Sequence, residues 1–325
     1  MRPFNFIKTE NVSQALSQKK ETAQFIAGGT NLIDLMKKNI AQPDTLLDIT
    51  SSLSNKIEKK SKGIEIGAMV RNTAVALDET VLSQHPLVSK AILAGASPQI
   101  RNMASTAGNL LQRTRCPYFY DVTTPCNKRK PGSGCSAITG ENRMNAIVGY
   151  NEQCVAVHPS DLCIALAALD AEVNFISKNQ KQGSIDFKNF HKLPESTPQK
   201  DHTLPENSLI TSVSINENHF NKNFAYVKVR DRDSYAFALV SVAAALHLKD
   251  NKIVEARLAS GGVAHKPWRW YEAEKFLKNK EPNAKNFAEA ATIATKDLKP
   301  LSHNSFKVSM LKGAIETALQ DCIKV

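Results

Sequence analysis

The 325-residue sequence lacks the features that mark several protein classes. It has no apolar run near the length of about 18 residues that a membrane-spanning helix needs. The first residues, MRPFNFIKTE, do not supply the apolar core, about 7 to 15 residues long, of a secretory signal peptide. The Rossmann fingerprint GxGxxG, internal repeats and low-complexity tracts are also missing. With 42% hydrophobic residues, the chain is expected to be globular and to form two or three domains.

Aromatic residues are scarce, at 6%, whereas positive charge is abundant. The 42 Lys and Arg residues against 31 Asp and Glu residues give a formal charge of +11. Such an excess favours nucleic acid, acidic partners or an anionic cofactor, and it carries no information about the fold. Because few rings accompany the basic residues apart from Tyr118, Phe119 and Tyr120, a nucleic-acid-binding protein with a metal site is only a minor alternative.

Cysteines are few, but four of the six lie in one stretch with the spacing C-x9-C-x8-C-x18-C, at Cys116, Cys126, Cys135 and Cys154. This stretch is rich in Pro, Gly, Asn and Thr, and so long a loop is uncommon unless it is functional or tied down. Structural zinc sites usually use tight C-x2-4-C pairs, whereas an iron–sulfur cluster accepts single ligands from a wrapping loop. We therefore expect a [4Fe-4S] cluster in preference to zinc, with two disulfides or ordinary surface cysteines as alternatives.

The surroundings of these cysteines carry one sign of charge. Between Arg101 and Asn145, seven Lys or Arg residues are accompanied by only Asp121 and Glu141. A cluster with four thiolates carries net negative charge, so nearby cations would stabilise it; a solvated basic loop is the alternative. Cys163 and Cys322 instead continue apolar patterns, and we expect both to pack in the core.

Two turns of small residues suit a phosphate-bearing ligand. Gly28-Gly29-Thr30-Asn31 lies between an expected strand at 25–27 and a helical pattern from Leu32, and Ser105-Thr106-Ala107-Gly108-Asn109 forms the second turn. A strand, a glycine turn and a helix present free backbone N–H groups to a phosphate, and glycine has no Cβ to hold the phosphate away. Either turn alone is more often a plain turn, but the two together indicate a dinucleotide held between them.

The remaining patterns predict an α+β fold. Asp161 begins a helix, as a cap or as a ribose ligand, and Asp250-Asn251 is expected to join two strands of a hairpin. Residues 178–205 are polar and are expected to wrap the surface. Strands are expected at 4–7, 25–27, 45–49, 64–67, 171–177, 210–215, 224–229, 236–248 and 253–258, and helices at 12–18, 73–78, 87–94, 271–278, 286–297 and 306–323.

Four segments together resemble the FAD-binding subunit of the molybdenum hydroxylase family, which includes xanthine dehydrogenases, carbon monoxide dehydrogenases and aldehyde oxidoreductases. They are AGGTNLIDLMK at 27–37, STAGNLLQRTRCPYFYD at 105–121, HPSDLC at 158–163 and KVRDRDSYAFALVSVA at 228–243. The resemblance covers nearly the whole chain, although most members lack the cysteine loop. In RTRCPYFYD, PCNKR, PGSGC and KPWR, this chain is similar to the flavin subunits of bacterial periplasmic aldehyde oxidoreductases, and 4-hydroxybenzoyl-CoA reductase has a comparable four-iron insert.

The resemblance implies a fold and a set of site residues. It implies a two-part FAD-binding domain of the vanillyl-alcohol-oxidase (PCMH) type at 1–218, with subdomains at about 1–55 and 56–218 and an iron–sulfur loop at about 112–157, followed by a C-terminal domain at 219–325 with an antiparallel sheet backed by helices. No catalytic residue is implied. The implied FAD ligands are Ala27, Gly28, Gly29, Thr30, Asn31, Leu32, Ser105, Thr106, Gly108, Asn109, Asp161, Ile210 and Lys228, and the implied [4Fe-4S] ligands are Cys116, Cys126, Cys135 and Cys154. Ala107 stands where the family often has glycine.

The implied function is electron transfer inside a heterotrimer. A molybdenum-cofactor subunit would oxidise an aldehyde to a carboxylic acid, a [2Fe-2S] subunit would relay electrons, and FAD on this chain would pass them to an external acceptor. The resembled enzymes are periplasmic, so we expect export in the folded state with a signal-bearing partner, with the cytoplasm as the alternative. A stand-alone flavin oxidase is the main rival; it would need a base near the flavin, for which His158 is the only candidate.

Overall fold

In the computed structural model, which describes residues 1–324, three β-sheets and their helices form a mixed architecture. The predicted α+β class is confirmed. Val325, the last residue of the predicted C-terminal domain, lies outside the described residues. Within residues 1–324, no helix is both long enough and apolar enough to cross a bilayer.

A small parallel sheet is built from the first 48 residues, in strands β1 (Asn5–Lys8), β2 (Ala23–Ile26) and β3 (Thr45–Asp48). Their order is β1-β3-β2, and both strand pairs are parallel. Helices α1 (Val12–Gln18) and α2 (Leu32–Lys37) make the crossovers. Because the strands are parallel, the turn that follows β2 and the chain that follows β3 leave the sheet at the same edge.

The second sheet is antiparallel, with the order β4-β5-β8-β6-β7. Helix α9 is buried along its entire length because it packs between other elements on several sides. The strands are β4 (Ile57–Lys60), β5 (Gly63–Gly67), β6 (Glu172–Ile176), β7 (Gln182–Asp186) and β8 (Leu209–Asn216). The helices are α3 (Asn72–Leu77), α4 (Glu79–Gln84), α5 (Pro86–Ala94), α6 (Pro98–Met103), α7 (Thr106–Leu110), α8 (Pro117–Tyr120), α9 (Asp161–Ala168) and α10 (Phe187–Phe190).

The third sheet is also antiparallel and has the order β12-β11-β10-β9, and helices of the C-terminal part pack against it, as the sequence predicts. Asp250 and Asn251 both have positive φ, 50° and 54°, and join β10 to β11 in the predicted hairpin. The elements are β9 (Asn223–Val229), β10 (Val240–Lys249), β11 (Lys252–Gly261), β12 (Trp268–Arg269), α11 (Tyr271–Leu277), α12 (Ala284–Thr295) and α13 (Phe306–Asp321).

Strands β10 and β11 are buried on both faces, so this sheet joins two hydrophobic cores. On one face, Val242, Ala244 and Leu258 belong to the core that α12 and α13 complete. On the other face, Ala243 and Ala259 belong to the core that contains α9. The alternation follows the two-residue period of a strand, and the small alanine side chains allow α9 to approach the sheet closely.

Residues 178–205, which are predicted to wrap the surface, also contribute to the core. Strand β7 and helix α10 lie in this segment, and Phe187 and Phe190 are buried in the core that contains α9. Both elements are too short and too polar to give a recognisable hydrophobic period. The division of the chain at residue 218 stays a prediction, although the first two sheets lie within residues 5–216 and the third within residues 223–269.

Candidate functional site

A cavity of about 1340 Å³ opens at the carboxyl edge of the small parallel sheet. It is larger than the roughly 300 to 1,000 Å³ of a typical small-molecule pocket. The structure brings both predicted turns to this cavity, since its lining includes residues 27–32 together with Ser105, Ala107 and Gly108. Ile210, predicted as a cofactor ligand, also lines it, as does the chain from Gln199 to Leu209 that precedes it.

In the first turn, each glycine has its own structural requirement. A Cβ on Gly28 would lie 1.9 Å from the carbonyl oxygen of Met103, so only glycine allows the end of α6 to pass here. Gly29 has φ of +70°, in the left-handed region that glycine adopts without strain. Access to a phosphate is the reason that the sequence pattern suggests for these glycines. The structure shows a further reason at Gly28, where two backbone segments approach closely.

The second turn is partly used by the protein itself. Ser105 caps α7 by accepting a hydrogen bond from the Gly108 N–H at 3.2 Å. Thr106 Oγ1 donates to the Val70 carbonyl at 2.9 Å, and Asn109 accepts a hydrogen bond from Ser160. Of the predicted residues in this turn, Ser105 and Gly108 therefore line the cavity, whereas Thr106 and Asn109 hold the turn in place.

Four side chains of the cavity lining have a buried polar atom without a partner in residues 1–324. They are Asn31 Nδ2, Gln199 Oε1, His202 Nδ1 and Ser208 Oγ. The amide of Asn31 is oriented, because its Oδ1 accepts a hydrogen bond from the Arg113 N–H at 3.0 Å. Buried polar groups are nearly always paired, so four unpaired atoms around one cavity fit a polar ligand that pairs with them.

Asp161 and Lys228 do not line this cavity. Asp161 lines a smaller cavity of about 120 Å³, where its carboxylate accepts hydrogen bonds from Tyr226 Oη at 2.7 Å and Lys228 Nζ at 2.8 Å. Lys228 also donates to the Ala94 carbonyl at 3.0 Å. Burial, reinforced by the Asp161 charge, raises the pKa of Tyr226 well above its usual value, so the phenol stays a donor. The two predicted ligands are thus ion-paired with each other.

All six cysteines are free thiols, and Cys163 and Cys322 are fully buried, as predicted. In the loop, Cys126 and Cys135 pair through their backbones, and Asn145 Nδ2 lies 3.6 Å from Cys116 Sγ. Burial raises the pKa of Cys154 to about 12, while Lys128 acts in the opposite direction and charge on Cys135 or Cys116 would raise the pKa further. Negative charge on Cys126 would likewise raise the pKa of Cys116, so the four thiols are close enough to affect one another electrostatically.

Two family matches cover almost the whole chain. Residues 2–216 match the FAD binding domain in molybdopterin dehydrogenase, and residues 224–322 match the CO dehydrogenase flavoprotein C-terminal domain. This chain is an FAD-binding subunit of the molybdenum hydroxylase family. The flavin subunit is therefore part of an oxidoreductase, and the predicted family is confirmed.

Some relatives match the flavin subunit over nearly its full length. It is 43% identical over 324 residues to the aldehyde oxidoreductase FAD-binding subunit PaoB of Escherichia coli. This match covers 99% of the present chain and 98% of PaoB. It is 26% identical over 302 residues to the glyceraldehyde dehydrogenase medium chain of Sulfolobus acidocaldarius, covering 92% and 89% of the two chains. The fold matches a chain of quinoline 2-oxidoreductase from Pseudomonas putida 86, with a TM-score of 0.75 at 20% identity over 99% of this chain and 97% of that one.

One buried lysine connects the cysteine loop of the flavin subunit to the cavity of about 1340 Å³, here called the main cavity. Lys128, with a side chain only 1% exposed, donates to Asp201 and, at 2.7 Å, to the Pro198 carbonyl. Arg113 Nε donates to the other Asp201 oxygen at 2.8 Å, and both Arg113 and Asp201 line the cavity. Burial acts to raise the pKa of Asp201, but Lys128 and Arg113 outweigh it and hold the pKa well below its usual value.

The far end of the loop is held by two residues from the C-terminal part of the flavin subunit. Asn304 and Lys307 are fully buried, and each donates to three backbone carbonyls. Burial lowers the pKa of Lys307 to about 7. The acceptors, at 2.8 to 3.2 Å, are the carbonyls of Asn142, Asn145 and Ala146 for Asn304 and of Met144, Asn145 and Gly262 for Lys307.

No pattern in the sequence assigns a role to Asp201, His202, Asn304 or Lys307. None of them lies in a motif, and each acts on residues far away in sequence; Lys307, for example, lies 162 positions from Asn145. The sequence shows that Lys128 is one of several basic residues in the loop, but it does not show that Asp201 is the partner of this lysine.

Proposed function

We propose that the flavin subunit binds FAD non-covalently in the main cavity and a [4Fe-4S] cluster on its cysteine loop, and so transfers electrons within a molybdenum-dependent aldehyde oxidoreductase. FAD supplies the ability to take electrons singly and to release them as a pair. The observation that carries the proposal is the cavity itself, which joins two small-residue turns and four unpaired buried polar atoms. The aldehyde substrate class rests on the 43% identity to PaoB, whose name states that activity.

The proposed FAD contacts fall into two groups. Residues 27–32, Ser105, Gly108 and Ile210 would touch the cofactor directly, because they line the cavity. Thr106 and Asn109 would act by holding the second turn, through their contacts with Val70 and Ser160. Asp161 would orient Lys228 beside the carboxyl end of α5, since its carboxylate accepts a hydrogen bond from the Lys228 amine, which also donates to the Ala94 carbonyl. None of these residues is assigned an acid–base step.

The spacing of Cys116, Cys126, Cys135 and Cys154 supports a cluster in preference to one zinc ion. Four sulfurs about 2.3 Å from a tetrahedral zinc would lie about 3.8 Å apart. Within residues 1–324, no three of these thiols come within 4.8 Å of one another. A cubane cluster holds its thiolates farther apart, because each one binds a different iron.

Charged residues of the loop would serve this cluster. Lys128 lies close enough to Cys154 to lower the thiol pKa, and it is fixed by Asp201 at the edge of the FAD cavity. A buried cation at this point stabilises the net negative charge of a thiolate-bound cluster. Since Arg113 and Asp201 also line the cavity, the same ion-pair network keeps the cluster loop at a set distance from the proposed flavin site.

The proposal includes partners and a compartment. A molybdenum-cofactor subunit would oxidise the aldehyde, a [2Fe-2S] subunit would relay the electrons, and an external acceptor would receive them. We infer a periplasmic location, reached by export of the folded chain with a signal-bearing partner. We also propose the domain division at residue 218, with the FAD-binding subdomains on either side of residue 55.

Cofactor analysis of the anaerobically purified chain tests the proposal. We expect one FAD and about four irons per chain in the wild type and a loss of iron in Cys126→Ser. The matched control is Cys322→Ser, because Cys322 is also buried but lies away from the loop, in the core that α12 and α13 complete. Full iron in Cys126→Ser, or zinc in the wild type in place of iron, would overturn the cluster assignment.

Assays of the assembled enzyme test the electron-transfer role. Aldehyde-dependent dye reduction should require the molybdenum and [2Fe-2S] subunits together with this chain. Robust aldehyde turnover by the isolated flavin subunit would instead support a stand-alone oxidase.

A further inference from the structure

A second group of possible metal ligands lies outside both proposed cofactor sites. His158, Cys163 and His191 each offer one ligand atom, and these three atoms lie within 4.8 Å of one another. All three residues are buried, with exposed fractions of 7%, 0% and 4%. Among residues 1–324, this is the one group of three or more His, Cys, Asp or Glu side chains that converges so closely.

His191 is oriented as a metal ligand would be. Its Nε2 lies 2.9 Å from the Leu110 carbonyl, an acceptor, so the ring proton must be on Nε2 and the lone pair on Nδ1. Nδ1 is buried and has no partner. A backbone carbonyl that fixes the tautomer of a histidine in this way is the usual outer contact of a metal-bound imidazole.

His158 supplies the second nitrogen. Its Nε2 is also buried without a partner, and its ring centroid lies 4.3 Å from that of His191. Two unpaired imidazole nitrogens facing one thiol would be costly to bury unless something pairs with them.

The donor set determines which ion would fit. Two imidazole nitrogens and one sulfur suit a borderline or soft ion, whereas calcium and magnesium require oxygen ligands. We propose that His158, Cys163 and His191 form a binding site for a single Zn²⁺ ion, with a fourth position left for water. Zinc is the natural probe because it takes cysteine and histidine ligands in tetrahedral geometry and needs no redox partner.

The proposed ion would have a structural effect. Its ligands come from three segments: the chain that returns from the cysteine loop, helix α9, and the residue after α10. His191 in turn contacts the end of α7, the helix that begins at the second small-residue turn. One ion would therefore cross-link the base of the cysteine loop to the wall of the main cavity. This site is independent of the proposed cluster, because it shares none of its cysteines.

Metal titration of the full-length chain tests the site. The chain is purified anaerobically, treated with a chelator of divalent ions, and titrated with ZnCl₂ or, as a spectroscopic substitute, CoCl₂. We expect about one tightly bound zinc per chain, and a cobalt spectrum with a thiolate charge-transfer band. Zinc affinity should fall at least about tenfold in His191→Gln and in Cys163→Ala.

Three controls separate this site from others. Cys322→Ala removes a buried thiol elsewhere, and His219→Gln removes a histidine that stacks on His247, so both should bind zinc as the wild type does. Cys126→Ser should lose iron but keep the zinc site, which distinguishes a failure of this inference from a failure of the cluster assignment. The inference is overturned if wild-type protein binds no zinc, if the cobalt adduct lacks the thiolate band, or if His191→Gln and Cys163→Ala bind zinc normally.

Discussion

At the scale of single residues, Asn31 shows how one side chain can be prepared for a ligand. Its Oδ1 accepts from the Arg113 N–H, and this contact leaves Nδ2 buried and unpaired beside the main cavity. The amide is therefore held by the protein on one side only. A cofactor with negatively charged oxygens could accept a hydrogen bond from the unpaired Nδ2. Replacing the amide by a carboxylate would remove this donor.

We expect Asn31→Asp to weaken FAD binding by about 10 to 100-fold, the equivalent of losing a hydrogen bond to a charged group. The substitution keeps the acceptor for Arg113 and removes only the donor, so the fold should persist. Flavin content and fluorescence titration of the apoprotein provide the measurement. Asn189→Asp, an exposed site outside the cavity, is the control. Unchanged affinity in Asn31→Asp would mean that this amide does not face the cofactor.

The burial of Lys307 predicts that the stability of the protein depends on pH. Burial lowers the pKa of this lysine to about 7, below the value near 10.5 of an exposed lysine. Between these two values the unfolded chain binds more protons than the folded chain, so this residue makes stability rise with pH. From pH 7 to pH 9 the gain should be about 2 kcal/mol. Urea unfolding at both values should show it in the wild type, and Lys307→Met should lack that increment; parallel curves would contradict the prediction.

The sequence predicts some of these residues and not others, for a physical reason. Gly28, Gly29 and the four loop cysteines are recognisable because their chemistry depends on local spacing. Asp201 and Lys307 are not, because they act through contacts with residues brought near only by the fold: Asp201 lies 73 positions from Lys128. A lysine in an amphipathic helix is expected to face solvent, and nothing local to Lys307 indicates three buried carbonyl partners.

At the scale of elements, the hairpin between β10 and β11 depends on two residues with positive φ. Asn251, at φ of 54°, tolerates this conformation better than most residues, and glycine tolerates it best. We expect Asn251→Gly to raise the free energy of unfolding by a few tenths of a kcal/mol and Asn251→Val to lower it by about 1 to 2 kcal/mol. Chemical unfolding measures both. Lys252→Val, one residue further along in the strand, should have little effect, and a similar loss there would point to a cause other than the turn.

Element length decides how much of the fold can be predicted. The helix at 12–18 and the strands at 45–48 and 224–229 are found within a residue or two, because each has a clear period and a capping or turn residue. Helices α7, α8 and α10 have only four or five residues each, less than two turns, and no period can be recognised in them. Their positions are set by tertiary contacts, such as the burial of Phe190 in the core that contains α9.

At the scale of the whole molecule, the two cores share one sheet. Because β10 and β11 are covered on both faces, neither half of the chain can bury its apolar surface alone. We expect a fragment of residues 1–218 to aggregate or to bind a hydrophobic dye, since the surface that meets Ala243 and Ala259 would be exposed. Co-expression of residues 219–325 should restore solubility. A monomeric fragment 1–218 with a cooperative unfolding transition would contradict the shared core.

The contacts of Asn304 and Lys307 also set an order of events during synthesis. These residues lie near the end of the chain, yet they hold the carbonyls of residues 142–146, and Asn145 in turn contacts Cys116. The contacts that hold this end of the cysteine loop are therefore incomplete while the first three hundred residues emerge from the ribosome. Delivery of the proposed cluster would therefore have to follow translation, and a chain truncated before Asn304 would lack the contacts that hold this end of the cysteine loop.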